Sequence, residues 1–532
     1  MRWLALGLAA CTSAPETAPE TEFSADPPEF GVSAGEVPSV APSRPRYFVV
    51  TTDELFSAAE VYAARRSQQG WDASVVSVSE LSPDGDAETL ASSLRAHLDP
   101  EQRTAVLLLG DAETGLPAHP CQTVDDASAE CLAQFDDHFP WSDLCYTDNP
   151  YGDIDADGLP DAAVGRIPAA SEAEALAYFD RMVRFEEETV AGPWNRRVSL
   201  YAGASGYSET LEALAESVTL DALAEVAPAY DIVGAWNNPQ SDYFYTPFDE
   251  KVVDMFEEGA LAVFYVGHGS ASSNDGLSST QLNLLEPGAR SPFAFFFACS
   301  NGTYAGESRS LAERALFAPG GPISAYAGSS ITSPFSNAAL PYEMQRELLE
   351  GASPTLGEVV QNAERALIGH QDTVRDTIDA AMAFEGTFSA ECGEPQNRIH
   401  VELYNLFGDP AMPVQRPEIA AIGVDGWMAD GELLITGNVP FESGTVTVSL
   451  DVERDRILGT LSPSTDPASV QANWEAANDK RWLEVEATVL NGAFEVPLSF
   501  DPDALPPGPL FVRAYASDGT HNAVAAVPAP AF

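Results

Sequence analysis

Basic residues are scarce in this chain of 532 residues, which holds 26 lysines and arginines against 81 aspartates and glutamates and has a formal charge of -55. Nucleic-acid-binding proteins usually carry a basic patch, so this balance argues against a nucleic-acid partner. It favours a solvated acidic surface and leaves a cationic substrate as an alternative. Hydrophobic residues still make up 45% of the chain, so most of it is expected to fold.

Two further features are missing from the sequence. After the first few residues, no stretch approaches the ~20 apolar residues that a membrane-spanning helix needs, so we expect membrane attachment only through a lipid. No Gly-x-Ser-x-Gly motif follows any of the predicted strands, since the one match, residues 31–35, lies in the segment 12–45 rich in Pro, Ala, Ser, Thr and Glu. This disfavours a serine hydrolase with a nucleophile elbow, which needs the motif between a strand and a helix.

The N-terminus indicates export. Residues 1–11 combine one basic residue, a short apolar run and small residues before Cys11, as in a secretory signal. The last four of them resemble a bacterial lipobox, which implies a lipid on Cys11. We therefore expect a lipoprotein of the bacterial cell surface or outer membrane, or an extracellular protein. Residues 12–45 are rich in Pro, Ala, Ser, Thr and Glu, and this composition predicts a disordered tether.

Six cysteines are present, and five remain if Cys11 is acylated. Export favours disulfides, so four of the five can pair and one is left as a candidate reactive thiol. The count does not identify the free cysteine. Among the several arrangements, the working expectation is that Cys121 pairs with Cys131 and Cys145 with Cys392.

The hydrophobic pattern predicts an α/β fold. Apolar runs alternate with segments of helical spacing over residues 46–190 and again over 191–415, which indicates two adjacent α/β units, each with a parallel sheet covered by helices. Residues 261–266 and 293–298 are apolar throughout, as expected for central strands buried on both faces. From 416 to 532, alternating apolar and polar residues between turns predict a small β-sandwich.

Two of these apolar runs end on a reactive side chain. The first leads into Gly267-His268-Gly269 and the second into Ala298-Cys299. In open α/β sheets, sites form beyond the carboxyl ends of the strands, so neighbouring strands would bring His268 and Cys299 together. A thiol nucleophile needs an imidazole to take its proton and later to protonate the leaving amine. Gly269 lets a substrate backbone approach, and its N–H and that of Cys299 are candidate oxyanion donors.

Four further stretches stand out within residues 46–415. They read FYVGHGS (264–270), FACSNG (297–302), YGDIDADGLPD (151–161) with GRIP (165–168), and YNLFGDP (404–410). In combination they resemble the gingipain-type cysteine peptidases, which have a caspase-like fold.

The resemblance implies two caspase-like subdomains followed by an immunoglobulin-like β-sandwich. It also implies that His268 is the general base and acid and that Cys299 is the nucleophile, which forms a thioester with the substrate. The N–H groups of Gly269 and Cys299 become the oxyanion donors by the same resemblance.

The chain departs from this family at one place. Gingipains carry an acid that supports the histidine on the strand–helix turn of the second subdomain, and here the matching turn, residues 203–209, has no acid at that place. Glu209 is the nearest substitute, although it is also typical of an ordinary acid in the first turn of a helix. The acidic pocket residue that gives a preference for basic residues cannot be assigned in this chain.

An acidic loop predicts a structural calcium ion. Asp153, Asp155, Asp157 and Asp161 stand around a glycine, and carboxylates at such spacing can converge on one hard cation. The bidentate Glu of the twelfth position is replaced by Val164, so a solvated acidic turn is the alternative. No cofactor is expected for the chemistry itself.

These observations favour an exported or surface-anchored cysteine endopeptidase that acts as a monomer on proteins or peptides. The alternative, from another class, is a surface binding protein that keeps a peptidase fold without turnover. The terminal β-module and the missing third acid leave room for this alternative, whereas the intact His268 and Cys299 argue against it.

Overall fold

The computed structural model describes residues 44–121, 131, 145–204, 216, 219, 227–334, 336–384 and 392–530. Fifteen of its strands precede residue 416. In chain order they are β1 (Arg46–Thr51), β2 (Asp72–Ser77), β3 (Thr104–Leu109), β4 (His119–Pro120), β5 (Tyr146–Thr147), β6 (Ala163–Ile167), β7 (Arg197–Ala202), β8 (Asp231–Trp236), β9 (Ala262–Val266), β10 (Gly269–Ser270), β11 (Ser273–Asn274), β12 (Leu277–Ser278), β13 (Phe293–Phe297), β14 (Ser324–Gly328) and β15 (Tyr404–Phe407).

The helices of the same region cover the strands. In the described part of the chain they are α1 (Phe56–Gln68), α2 (Val78–Leu81), α3 (Ala87–Arg95), α4 (Glu172–Glu188), α5 (Phe248–Glu257), α6 (Ser279–Leu282), α7 (Leu311–Phe317), α8 (Ser336–Glu350), α9 (Leu356–Gly369), α10 (Thr373–Phe384) and α11 (Gly393–Leu403). The helical spacing in the sequence predicted the other helices but not α2, α6, α10 or α11.

Ten strands form one continuous sheet in the order β2-β1-β3-β6-β15-β14-β13-β9-β7-β8. All neighbours are parallel except β14 and β15, which are antiparallel. The last strand, β15, lies between β6 and β14 and joins the two predicted units edge to edge. The strands on its two sides therefore run in opposite directions, and the expectation of two separate sheets is corrected to one.

The centre of the sheet is buried on both faces. Every residue of β13 and of β14 is buried, as expected for strands covered by helices on each side. On one face of the sheet the paired residues Phe264 of β9 and Phe295 of β13 stack, with their ring centroids 4.7 Å apart. This confirms that the apolar runs of the sequence are central strands, and it gives their carboxyl ends a rigid support.

A buried ion cluster ties the end of β15 to the first part of the chain. The Asp409 carboxylate accepts hydrogen bonds from Arg66 Nη2 at 2.9 Å and from the Tyr47 hydroxyl at 3.0 Å. Arg66 also donates to Glu186 at 2.6 Å. Asp409 and Arg66 are 0% and 1% exposed, so each charge depends on the others for its compensation.

Residues from 416 onward form a separate eight-stranded sheet with one helix, α12 (Pro467–Asn478), between its fourth and fifth strands. The strand order is β16-β23-β22-β19-β20-β21-β18-β17. In chain order the strands are β16 (Glu418–Ile419), β17 (Ala421–Trp427), β18 (Glu432–Asn438), β19 (Ser443–Val452), β20 (Arg481–Leu490), β21 (Ala493–Ser499), β22 (Leu510–Ser517) and β23 (Asn522–Pro528).

This terminal module is close to a closed barrel. Its hydrogen-bond ladder runs through all eight strands without a break, and β17 at one end also approaches β23 near the other. The long strands β19 and β20, each of ten residues, bend around a single apolar core. An all-β module is therefore confirmed, whereas the predicted immunoglobulin-like sandwich is not.

The disulfides differ from the expected arrangement. Cys121 pairs with Cys145, and Cys131 pairs with Cys392. The first bond follows from the antiparallel ladder between β4 and β5, because Cys121 and Cys145 occupy its next rung with their Cα atoms 5.5 Å apart. The expected pairs, Cys121–Cys131 and Cys145–Cys392, were wrong since cysteine order in a sequence carries no information on strand pairing. Among the cysteines of the described residues, Cys299 is the one outside a disulfide.

Cys11, the signal segment and nearly all of the tether lie outside the described residues. Of the helices that the structure describes, none has the length and apolar character to cross a membrane.

Candidate active site

The two strands that end in reactive side chains are neighbours. Strands β9 and β13 pair in parallel, with Val266 opposite Phe297 at their carboxyl ends. The Gly267 N–H then donates to the Phe297 carbonyl at 3.3 Å. His268 and Cys299 each come two residues after this last rung, so both leave the sheet at the same edge. The two strands are therefore neighbours, which is the arrangement expected to bring His268 and Cys299 together.

The loop that carries His268 is held in place by Tyr265. Its hydroxyl donates to the His268 carbonyl at 2.6 Å and accepts the N–H of Asp275 at 3.3 Å. Gly267 has φ +154°, and a Cβ built there would lie 2.5 Å from the Tyr265 hydroxyl oxygen. A glycine is therefore required for this loop to cross over the tyrosine, and the main chain of His268 is fixed by it.

The next glycine lets the histidine and cysteine loops touch. A Cβ on Gly269 would lie 2.5 Å from the Cys299 carbonyl oxygen and 2.8 Å from Asn301 Nδ2. The sequence analysis assigned this glycine to the approach of a substrate backbone. Its structural effect is the close packing of the two loops, so a larger residue would push His268 away from Cys299.

Asn301 clamps the two loops together, a role that the sequence analysis missed. The residue is 0% exposed, and its Nδ2 donates to the carbonyls of Ser270 at 2.7 Å and Ser273 at 3.1 Å. These acceptors belong to the hairpin β10–β11 that follows His268. A signal was available in the sequence, because an amide side chain two residues after Cys299 can bridge to a neighbouring turn.

The variant Asn301→Ala is expected to lower kcat by roughly tenfold to a hundredfold, because a displacement of about 1 Å between reacting groups has effects of that size. Turnover of a peptide substrate and the thermal midpoint are the measurements. Asn438→Ala, at an exposed position of the terminal module, is the matched control. Full activity in Asn301→Ala would show that the clamp does not set the geometry of the site.

Backbone strain accompanies the nucleophile candidate. Ser300, directly after Cys299, has φ +58°, a left-handed conformation that non-glycine residues seldom adopt. The N–H of Ser300 is held by the Ser330 carbonyl at 2.8 Å. This sharp turn ends β13 and leaves Cys299 half-buried, with its thiol at the edge of the sheet.

The thiol of Cys299 faces the loop after β14. Thr332 N–H donates to Sγ at 3.4 Å, and the Thr332 hydroxyl lies 3.6 Å from the same sulfur. Within the part of the chain that the structure describes, the N–H of Cys299 itself has no acceptor. Sequence reasoning missed Thr332, which stands 33 residues after Cys299 and carries no motif.

The acid expected beside His268 is not located. Glu209 lies outside the described residues. The carboxylate of Asp275 contacts residues 203 and 204, at the start of the turn 203–209. Its Oδ2 accepts the Ala204 N–H at 3.1 Å and would lie 2.5 Å from a Cβ built on Gly203. Asp275 comes from the hairpin after His268 and was not predicted; the Asp-Gly turn signal of this hairpin was visible in the sequence.

The acidic loop brings three of its four aspartates together. Carboxylate oxygens of Asp153, Asp155 and Asp161 lie within 4.8 Å of one another. Asp157, the fourth predicted ligand, is not part of this group, and its Oδ1 accepts the Leu159 N–H at 2.9 Å. Three clustered carboxylates fit a hard divalent cation.

The other contacts of this loop show how it is held. Asp153 is 6% exposed and accepts N–H groups from Asp157 at 3.2 Å and Gly158 at 3.1 Å. Burial raises the pKa of Asp153, which a bound cation would counteract. Asp161 is paired with Arg365, so one of the three charges already has a partner.

Comparison with known proteins places the fold. The model of peptidase family C25 matches residues 40–415. The solved structure of the Arg-specific cysteine proteinase gingipain R is similar over 91% of this chain and 98% of its own, with 17% identity and a TM-score of 0.55. The complex of the pro- and mature domains of RgpB from Porphyromonas gingivalis covers 91% and 99%, with 17% identity and a TM-score of 0.53. No curated protein matches the chain significantly.

Proposed function

The chain belongs to peptidase family C25 and is a cysteine-type peptidase, and from this premise we propose that it is an endopeptidase with Cys299 as nucleophile and His268 as general base and acid. One observation carries the proposal. The in-register pairing of β9 with β13 brings these two residues to the same sheet edge, two residues past one rung. Cys299 is also the free cysteine, whereas the other described cysteines form disulfides.

The proposed reaction runs through an acyl-enzyme. His268 takes the thiol proton, and the Cys299 sulfur attacks the carbonyl carbon of the scissile peptide bond. The same imidazole then gives its proton to the leaving amine as the C–N bond breaks, which leaves a thioester. A water molecule, deprotonated by His268, attacks the thioester and releases the carboxylic acid and the thiol.

Two backbone groups are proposed to hold the oxyanion, the N–H groups of Gly269 and Cys299. Among the described residues the N–H of Cys299 has no acceptor, which supports this assignment. The close approach of Gly269 to the Cys299 carbonyl supports it as well. Donors fixed before the reaction stabilise the developing charge without reorganisation. Glu209 remains the proposed support of His268, and the contact of Asp275 with the same turn makes it a second candidate.

A peptide-library experiment tests the function. The protein is incubated with mixed peptides at neutral pH with and without prior treatment by iodoacetamide. Cleavage that iodoacetamide abolishes, with the label on Cys299, supports the proposal, and the cut sites define the preferred residue. If no peptide is cut and Cys299 alkylates no faster than an ordinary thiol, the chain is a binding protein with a peptidase fold.

We also propose a structural calcium ion held by Asp153, Asp155 and Asp161. Millimolar Ca²⁺ is then expected to raise the thermal midpoint by roughly a few degrees, because a ligand that binds only the folded state stabilises it. Asp155→Asn should abolish the shift. Asp157→Asn is the matched control and should retain it, since Asp157 lies outside the cluster. An unchanged midpoint in Ca²⁺ would mean that the loop is a solvated acidic turn.

For the cellular context we propose export and attachment through a lipid on Cys11, with the tether of residues 12–45 carrying the enzyme away from the surface. A peptidase acts on proteins or peptides, and the proposed form is a monomer. The acidic chain, with a charge of -55, fits an enzyme that stays dispersed in a salt-containing medium.

A further inference from the structure

The sulfur of Cys299 lies against Thr332, a residue that belongs to neither of the two motifs that carry His268 and Cys299. Thr332 lies in the loop that follows β14 and is 3% exposed. Its N–H points at Sγ from 3.4 Å and its hydroxyl oxygen lies 3.6 Å from Sγ. The Thr332 carbonyl is 3.8 Å from the same sulfur and accepts the thiol proton. One buried residue therefore contacts the sulfur through three of its groups.

The direction of the Thr332 hydroxyl is set by residues further away. Asn337, on the first turn of α8, donates from Nδ2 to Thr332 Oγ1 at 2.7 Å. The Tyr404 hydroxyl donates to Asn337 Oδ1 at 2.6 Å, which orients the amide. A hydroxyl that accepts a hydrogen bond keeps its own proton for another acceptor. Cys299 Sγ, at 3.6 Å from Oγ1, and the Tyr404 hydroxyl oxygen both lie within reach of that proton.

We propose that Thr332 is a catalytic residue that stabilises the thiolate of Cys299 with its N–H and O–H groups, and that Asn337 and Tyr404 are positioning residues that aim the hydroxyl. This inference rests on the proposed function and deepens it. It adds residues from α8 and β15 to a site otherwise made of the two loops that follow β9 and β13.

The arrangement suits both protonation states of the sulfur. In the neutral state the thiol donates to the Thr332 carbonyl. When His268 has taken the proton, the sulfur becomes an acceptor, and the two Thr332 donors face a full negative charge. Hydrogen bonds to a charged group are about twice as strong as neutral ones, so the donors favour the thiolate over the thiol. They assist again when the sulfur leaves the thioester.

Burial makes these bonds effective. Asn337 and Tyr404 are 7% and 0% exposed, so water does not compete for their hydrogen bonds, and the low local dielectric strengthens the chain of donors. Asn337 has a partner on each side, so the Thr332 hydroxyl oxygen is already held beside Cys299 Sγ before substrate binds. Preorganised donors of this kind favour the charged state without reorganisation.

The test measures the rate of Cys299 alkylation by iodoacetamide across pH, together with kcat/KM on a cleaved peptide. Thr332→Val keeps the side-chain shape and the N–H but removes the hydroxyl. We expect the pH of half-maximal alkylation to rise by about one unit, and kcat/KM to fall by roughly tenfold, as for the loss of one hydrogen bond to a charged group. Thr332→Ser restores the hydroxyl and should return both values to those of the parent.

Asn337→Asp is a second variant, which removes the donor to the Thr332 hydroxyl and leaves Thr332 itself unchanged. It keeps an acceptor for Tyr404 but cannot donate to Thr332, so the hydroxyl is no longer aimed at the sulfur. The expected shift of the alkylation profile has the same direction as in Thr332→Val. Combining the two changes should shift the profile little beyond the larger single effect, because they act through one hydroxyl.

The outcomes separate this inference from the proposed function. An unchanged alkylation profile in Thr332→Val and in Asn337→Asp overturns it, even if either variant has a lower thermal midpoint, because a merely structural role would move stability alone. Alkylation needs no turnover, so the profile decides the role of Thr332 even if the parent cleaves no peptide. The proposed function fails on a separate result: the parent protein and His268→Ala would have the same alkylation profile, because His268 would then not act on the thiol.

Discussion

Cys299→Ala is expected to lower kcat by roughly 10⁴- to 10⁶-fold, to the level left by substrate binding and oxyanion donors alone. The variant has no group that can form the thioester, so the pathway through an acyl-enzyme is closed. His268 remains, but an imidazole without its nucleophile has only water to activate. The measurement is turnover of a peptide that the parent cleaves, with product detected by mass spectrometry.

A matched variant separates chemistry from folding at this position. Cys299→Ser keeps the shape and retains a hydroxyl close to Thr332, yet at neutral pH a serine in this site has no thiolate to offer. We expect it to be nearly as inactive as the alanine variant. Both changes should alter the free energy of unfolding by less than about 1 kcal/mol, since the side chain is only half-buried. Equal cleavage by Cys299→Ala and the parent would reject the mechanism through His268 and Cys299.

Asp409→Ala is expected to destabilise the protein by about 3–5 kcal/mol, the usual effect of removing one partner of a buried ion pair. Asp409 accepts hydrogen bonds from Tyr47 and Arg66 with one oxygen and from the Ala411 N–H at 2.8 Å with the other. The loss leaves Arg66 buried with Glu186 as its remaining anionic partner. An effect of this size is a large part of the 5–15 kcal/mol by which domains are stable.

Chemical denaturation followed by tryptophan fluorescence measures this loss. Asp84→Asn, at an exposed loop position, is the control and should leave the midpoint unchanged. Asp409→Asn keeps the shape of the side chain and removes only its charge, so it should lose much of the stability as well. A midpoint of Asp409→Ala equal to that of the control would show that the cluster between Asp409 and Arg66 contributes nothing net.

The sequence by itself determined the class of the protein and the two residues at its centre. Central strands of a covered sheet bury both faces, so they appear as unbroken apolar runs, and side chains directly after such runs lie at the sheet edge. His268 and Cys299 were found by this local signal. The flanking glycines reinforced it, because Gly267 and Gly269 stand where the chain has no room for a Cβ.

The tertiary structure alone decided which distant residues meet. The insertion of β15 between β6 and β14 merged two predicted sheets into one, and the ladder of β4 with β5 selected the disulfide of Cys121 with Cys145. The same placement of β15 puts Tyr404 near Asn337 and, through Thr332, near Cys299. Local periodicity in the sequence encodes which residues are buried. Strand order and register arise from packing between segments that are far apart in the chain. Such contacts are not visible in the hydrophobic pattern of either segment alone.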